Sequence, residues 1–247
     1  MIHQPIDQRS TFCDQIGNLN IWIGSRRAGR PPECWASFDA VLNITATTYA
    51  GQDHLENGKS YLQLPVAEGK RDKTELEKWM PVGLMFLIHH LQNGQRVLVH
   101  CAQGKDRSAA VVLVFICLAC PLTFPLGLRP DFMSWDSFAL AKSSTTAAEW
   151  TDDDDDFSSF VESGLSSSLV KRLLERDGGE LFLRWVHSQS KRDVSSGPLA
   201  DKESVRIALH LIRQDREVVE PARATMQKIN RFLMSNPLYL GDVRKQE

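Results

Sequence analysis

The chain has 247 residues, of which 42% are hydrophobic and 24% charged, and its formal net charge is −2. This length and balance predict a folded soluble protein with one substantial core or two modest ones. The longest apolar run, residues 109–120, holds about a dozen residues, whereas a helix that crosses a bilayer needs roughly 20. That run is therefore predicted to be a buried helix and not a membrane anchor.

The cysteines and the amino terminus predict the compartment. The chain has 5 cysteines at irregular spacing, which is not the pattern of a disulfide framework. The first residues lack the charged and apolar regions of a signal peptide. We therefore expect a cytoplasmic protein with reduced thiols and no membrane contact. Cys117 and Cys120 form a C-x-x-C pair, but one pair on an apolar helix favours core packing over zinc or redox chemistry, and no metal site is predicted.

Strands and helices are predicted to alternate through the first 119 residues. Thr74 and Glu77 form a capping box at the start of a helix that ends at Asn93-Gly94, and another helix follows Ser108. This alternation predicts an α/β fold with a central, mostly parallel sheet flanked by helices, in which ligands bind beyond the carboxyl ends of strands. The predicted strands are residues 19–23, 38–44, 61–65 and 96–100.

Residues 120–200 differ from the rest in composition. They contain helix-breaking prolines, serine-rich stretches and five consecutive aspartates at 152–156. The aspartates follow no strand, so a solvated charge run is favoured over a metal or pyrophosphate site. We expect a partly disordered acidic insertion with short helices at 166–176 and 180–188.

Two amphipathic helices are predicted after the insertion. Their apolar residues recur at helical spacing and need a partner, which we expect to be the sheet of the first 119 residues. The predicted domains are therefore one α/β domain made of residues 13–119 and 201–240, and an insertion at 120–200. The apolar positions are Val205, Ala208, Leu209 and Ile212 in the first helix and Ala222, Met226, Ile229 and Leu233 in the second.

The most informative segment joins the strand at 96–100 to the helix after Ser108. A strand, a glycine-containing loop and a helix in series aim several backbone N–H groups at one point, where the helix dipole also favours an anion. Phosphate is the predicted ligand. The residues expected to bind it are Ala102, Gln103, Gly104, Lys105, Asp106 and Arg107.

Three residues of this loop are predicted to be catalytic. Five residues separate Cys101 from Arg107, and this spacing lets the loop curl until the guanidinium faces the sulfur. The planar fork of Arg107 holds two phosphate oxygens, and positive surroundings lower the thiol pKa, so Cys101 is expected to be a nucleophilic thiolate. Ser108 is expected to hydrogen-bond the sulfur and help it leave a phosphocysteine intermediate. Gly104 lets the backbone approach the ligand.

With these motifs, the first 119 residues resemble the dual-specificity protein phosphatases. The resemblance implies the fold of cysteine phosphatases and a general acid on the loop after the third strand. The family has an aspartate there, whereas the matching residue here is Glu68, and Asp72 is the substitute candidate. The segments that carry the resemblance are residues 19–25, 38–44, 61–65 and the Cys101 loop, followed by Ala208, Arg213, Arg216 and Pro221.

Lys105 and Asp106 depart from the usual dual-specificity loop. An extra lysine suits a substrate with more than one phosphate, as in phosphatases that act on lipids or densely charged small molecules. Alternatively, Lys105 and Asp106 neutralise each other at the rim of the loop.

A longer resemblance, over residues 61–81, 97–114 and 198–235, is to the plant initiator-tRNA phosphoribosyltransferases. It implies transfer of a ribosyl phosphate from phosphoribosyl pyrophosphate, the donor substrate, to a 2′-hydroxyl of initiator tRNA, with no other cofactor. The chain resembles the carboxyl-terminal, phosphatase-like half of those proteins. It lacks the acidic pair and glycine-threonine loop that usually hold the donor, so we expect the donor site in their other half.

The sequence is compatible with three functions. The first is a transferase-family domain whose loop grips a phosphate of initiator tRNA or of the donor, helped by Arg26, Arg27, Arg30, Lys70, Arg71 and Lys73. The second is an active cysteine phosphatase acting on a phosphoprotein, phosphoinositide or RNA phosphate. The third is a non-catalytic interaction module that uses the acidic insertion. The first is our family assignment; protein partners are not predicted.

Overall fold

The computed structural model describes residues 12–48, 58–72, 74–119 and 200–235. A five-stranded sheet forms its centre, in the order β1-β2-β5-β3-β4. β1 is antiparallel to β2, and the other three pairings are parallel. The strands are β1 (Cys13–Gln15), β2 (Ile21–Gly24), β3 (Ala40–Asn43), β4 (Ser60–Gln63) and β5 (Val97–His100).

β5 lies in the middle of the sheet and leads into the Cys101 loop. All four of its residues are buried, because helices cover both faces of a parallel strand and every side chain must enter a core. The four predicted strands are confirmed as β2 to β5, each within two residues of its predicted start. β1 was not predicted, since a three-residue edge strand carries too short a pattern to be recognised.

Within the described ranges, five helices accompany the sheet. They are α1 (Glu33–Ser37), α2 (Glu75–Gln92), α3 (Arg107–Ala119), α4 (Lys202–Asp215) and α5 (Arg223–Ser235). A single 3₁₀ turn, Gly69–Arg71, precedes α2. None of the helices in the described ranges is both long enough and apolar enough to pass through a bilayer.

The predicted capping box at the start of α2 is wrong. The side chain of Thr74 makes no cap hydrogen bond. Instead, Asp72 Oδ1 accepts hydrogen bonds from the N–H groups of Glu75 at 2.8 Å and Leu76 at 3.4 Å. The carboxylate reaches the free N–H groups from two residues before Thr74, and its negative charge suits the amino end of a helix.

The carboxyl-terminal helices share one core with the first 119 residues. Side chains of α4 and α5 belong to the same buried apolar cluster as α2, α3 and the sheet. Val205, Ala208 and Ile212 are buried in α4, as their spacing predicts. In α5, Ile229 and Leu233 are buried, whereas Ala222 is exposed because it precedes the helix.

Several predictions fall on residues outside the described ranges. These are Lys73, Cys120, the aspartates at 152–156, the helices at 166–176 and 180–188, the remainder of the predicted insertion up to residue 199, and residues 236–240 of the predicted α/β domain.

Candidate phosphate-binding and catalytic site

Residues 101–107 curl around the sulfur of Cys101. The Gly104 N–H donates to Sγ at 3.3 Å, and the Ser108 hydroxyl donates to the same atom at 3.3 Å. Cys101 is only 2% exposed. The loop between β5 and α3 is thus a closed turn, hereafter the cup, with the thiol at its base.

The environment of Cys101 favours the thiolate. Burial by itself raises the pKa of this thiol, but the hydrogen bonds from Ser108, the charge of Arg107 and the Gly104 N–H outweigh burial and hold the pKa below its ordinary value. Hydrogen bonds and positive charge stabilise the charged form directly. The thiolate is the form that attacks an electrophile.

Gly104 is required by both the shape of the cup and the space around it. Its φ is 72°, and a Cβ at this position would lie 2.5 Å from the backbone carbon and oxygen of Gly24. Any side chain would therefore push β2 away from the cup. β2 and the cup are also joined directly, because the Cys101 N–H donates to Gly24 O at 3.4 Å.

Arg216 braces the cup from the carboxyl-terminal segment. This buried guanidinium donates from Nε to Gly104 O at 2.8 Å and from Nη2 to Gln103 O at 3.5 Å. It also forms an ion pair with Asp14 of β1. Arg216 thereby connects the cup, the sheet edge and the end of α4.

The residues after Arg216 also hold the cup. The Glu220 N–H donates to Lys105 O at 3.0 Å, and the Ala222 N–H donates to Asp106 Oδ1 at 2.9 Å. The Asp106 carboxylate is therefore used to fasten the chain between α4 and α5. Lys105 is exposed at the rim.

Arg107 connects the cup to the loop that carries Glu68. Its Nη1 donates to Val66 O at 2.8 Å, and its Nη2 lies 4.0 Å from Glu68 Oε1. The Arg107 side chain is 7% exposed, whereas that of Glu68 is 57% exposed. Glu68 thus stands beside the cup with its carboxylate open to a ligand.

Asp72 has a different environment. It is buried, its Oδ1 caps α2, and its Oδ2 forms an ion pair with Lys228 of α5. Lys228 also donates to Asp72 O at 2.7 Å. These contacts favour a structural role for Asp72, which anchors the far end of the Glu68 loop, and they leave Glu68 as the exposed carboxylate beside the cup.

His100 precedes the cup and packs against the turn after β2. Burial lowers the pKa of its imidazole to about 4, so the ring is neutral at neutral pH. A Cβ on Gly29 would lie 2.4 Å from His100 Nε2. The close packing of Gly29 on this ring fixes the turn at the edge of the cup.

Sequence reasoning assigned no role to two residues that shape the site. Arg216 carried part of the family resemblance. Its contacts with the cup could not be predicted, because Arg216 and Gly104 are more than 100 residues apart in the chain and only the fold brings them together. Lys228 lies next to the buried Ile229 on α5. A lysine beside an apolar stripe was a usable signal, because a buried ammonium needs a partner.

The Cys101 environment predicts how fast the thiol reacts. The alkylation rate with iodoacetamide is expected to level off at a lower pH than for an ordinary thiol, since only the thiolate reacts. Ser108→Ala removes a donor, so the midpoint of the rate profile should move to higher pH. Peptide mass spectrometry measures the alkylation of Cys101. The internal reference is Cys34, because burial raises the pKa of its thiol to about 12. An unchanged midpoint in Ser108→Ala would contradict the assigned hydrogen bond.

Two family profiles match the chain. The profile of the dual specificity phosphatase catalytic domain matches residues 21–119, which contain the whole cup. The profile of the Rit1 DUSP-like domain matches residues 164–233, which contain Arg216, Glu220 and Lys228. The two matches follow each other along the chain.

The curated relatives and the solved structures that resemble this chain include dual-specificity phosphatases and phosphatase domains. Dual specificity protein phosphatase 2 of Mus musculus is 32% identical over 31% of this chain and 23% of its own length. Dual specificity protein phosphatase OPG106 of Vaccinia virus (strain Western Reserve) is 29% identical over 43% of this chain and 59% of its own. The Yvh1 phosphatase domain from Chaetomium thermophilum superposes with a TM-score of 0.49 and 14% identity, covering 89% of this chain and 94% of that one.

The sheet order, the cup after the central strand and the profile match over residues 21–119 agree with one another. The described residues therefore have the dual-specificity phosphatase fold, and residues 164–233 match the Rit1 DUSP-like profile.

Proposed function

We propose that this chain is the DUSP-like part of a plant-type initiator-tRNA phosphoribosyltransferase of the cytoplasm, in which the Cys101 cup binds a phosphate of the tRNA or of the phosphoribosyl donor. One observation carries the proposal. The segment that matches the Rit1 DUSP-like profile also supplies the contacts that close the cup, through Arg216, Glu220 and Ala222.

In this function the cup binds without reacting. Arg107 and the backbone N–H groups of the loop hold the phosphate oxygens, and a phosphate at this point is oriented by a rigid, prebuilt set of donors. Cys101 contributes the base of the cup. The resemblance to the transferase family supports initiator tRNA as the acceptor, and it supports a donor site in a part of the family's proteins that this chain does not resemble.

Arg107→Ala is expected to weaken binding of initiator tRNA by about tenfold or more, because a charge-assisted hydrogen bond to phosphate contributes roughly 1.5–3 kcal/mol. A filter-binding titration at several salt concentrations measures the loss. Arg206→Ala, which removes an exposed arginine of α4, is the matched control and should bind as the parent does. Equal affinities for the parent and Arg107→Ala would contradict the proposal.

A cysteine phosphatase is the second candidate, and the lowered pKa of Cys101 favours it. The thiolate attacks phosphorus and forms a sulfur–phosphorus bond while the phosphorus–oxygen bond to the leaving group breaks. Glu68 gives its proton to the leaving oxygen. Water then attacks the phosphocysteine, Glu68 takes a proton from that water, and the Ser108 hydroxyl stabilises the departing thiolate. Candidate substrates are a phosphoprotein, a phosphoinositide or an RNA phosphate.

Glu68→Gln tests this chemistry with two substrates of different leaving group. Loss of a general acid costs about 10²- to 10⁴-fold where the leaving oxygen needs a proton. Turnover of phenyl phosphate should therefore fall much further than turnover of p-nitrophenyl phosphate, whose leaving group is a stable anion.

Cys101→Ser is the blank for these assays, and Glu75→Gln, which alters a carboxylate on α2, is the matched control. Phosphate release by the parent no faster than by Cys101→Ser would reject the phosphatase. An equal loss on both substrates in Glu68→Gln would reject Glu68 as the acid.

A further inference from the structure

Three arginines lie in the turn that borders the cup. Arg26, Arg27 and Arg30 follow β2 within a few residues, and all three are exposed. The Arg26 N–H donates to Ala102 O at 3.3 Å, which joins the turn to the second residue of the cup. We refer to these three residues as the arginine rim.

The charges of the arginine rim have no acidic partner among the residues that the structure describes. Within the described ranges, no carboxylate forms an ion pair with Arg26, Arg27 or Arg30. Glu33 opens α1 three residues after Arg30 and does not pair with it. Arg107 and Arg216, by contrast, are buried and engaged at the cup. Unpaired positive charge beside an anion site favours a ligand that carries more than one phosphate.

An exposed aromatic ring stands at the same place. The Ser25 N–H donates to Phe12 O at 2.9 Å, so Phe12 lies beside the first residue of the turn. The guanidinium of Arg27 lies over the Phe12 ring, 4.5 Å from its centroid. Phe12 is 37% exposed and is one of two large apolar side chains that the described ranges leave exposed, the other being Val218.

We propose that Phe12 and the arginine rim form a subsite for the nucleotide next to the phosphate in the cup, so that the site takes a single-stranded polynucleotide. The base stacks on the Phe12 and Arg27 pair, and Arg26 and Arg30 contact the neighbouring backbone phosphates. This inference rests on the proposed function, because it assumes that the cup holds one phosphate of the same strand.

The combination of groups selects the ligand class. Aromatic rings interleaved with arginines bind single strands because bases stack on the rings while the cations follow the phosphates. A phosphopeptide offers phosphates to the arginines but no base to the ring. Stacking on Phe12 is therefore the contact that separates the two classes of ligand.

The test measures fluorescence anisotropy of a labelled, 5′-phosphorylated RNA tetranucleotide bound to the full chain carrying Cys101→Ser. Adding Arg26→Gln and Arg30→Gln together should weaken binding about tenfold. The slope of log affinity against log salt should become shallower by about 0.7 for each phosphate that an arginine no longer neutralises. Phe12→Leu should weaken binding at least about fivefold, as expected when one base no longer stacks, with the slope unchanged. Phe12→Trp keeps a ring and should restore binding.

Three comparisons make the result decisive. Arg206→Gln removes an exposed arginine that lies about 15 Å of helix rise before Arg216, and it should have no effect. Arg107→Ala tests the cup in the same assay: if it has no effect while the rim variants do, the cup holds no phosphate of the strand, so the proposed function fails and the rim binds RNA independently of the cup. Rim variants that bind RNA as the parent does, no binding by the parent, or equally tight binding of a doubly phosphorylated peptide would overturn the subsite.

Discussion

The site depends on burying the sulfur of Cys101 at the base of a closed turn while hydrogen-bond donors compensate the charge of its thiolate. Burial alone disfavours a thiolate, so the fold must supply donors that point at Sγ. Gly104 and Ser108 each donate a hydrogen bond to Sγ, and Arg107 adds a positive charge. The same convergence of donors that stabilises the sulfur underlies the proposal that the cup binds a phosphate.

The carboxyl-terminal segment supplies contacts that hold the site together. Arg216 holds two carbonyls of the cup, and Lys228 holds Asp72 at the far end of the Glu68 loop. Breaking a buried ion pair by removing one partner costs about 3–5 kcal/mol. The part of the chain that matches the Rit1 DUSP-like profile therefore holds both the cup and the loop that carries Glu68, which links the proposed family to the geometry of the site.

The sequence was informative wherever the signal was local. The apolar runs located β2 to β5, and the spacing from Cys101 to Ser108 located the cup, because a strand, a turn and a helix follow one another there without interruption. Contacts between distant segments were not predictable. Thr74 matched a local capping pattern, yet Asp72 performs that role, and Arg216 meets Gly104 across more than 100 residues. Such pairs are set by how α4 and α5 pack, which no short pattern records.

Calorimetric titration of the intact chain with inorganic phosphate tests the central claim most directly. If the cup is a prebuilt anion site, one phosphate binds per chain. Arg107→Ala, which also loses the buried hydrogen bond to Val66 O and should melt at a somewhat lower temperature, abolishes the heat while it still unfolds cooperatively. Absence of phosphate binding by the parent, or identical binding curves for the parent and Arg107→Ala, would contradict the account.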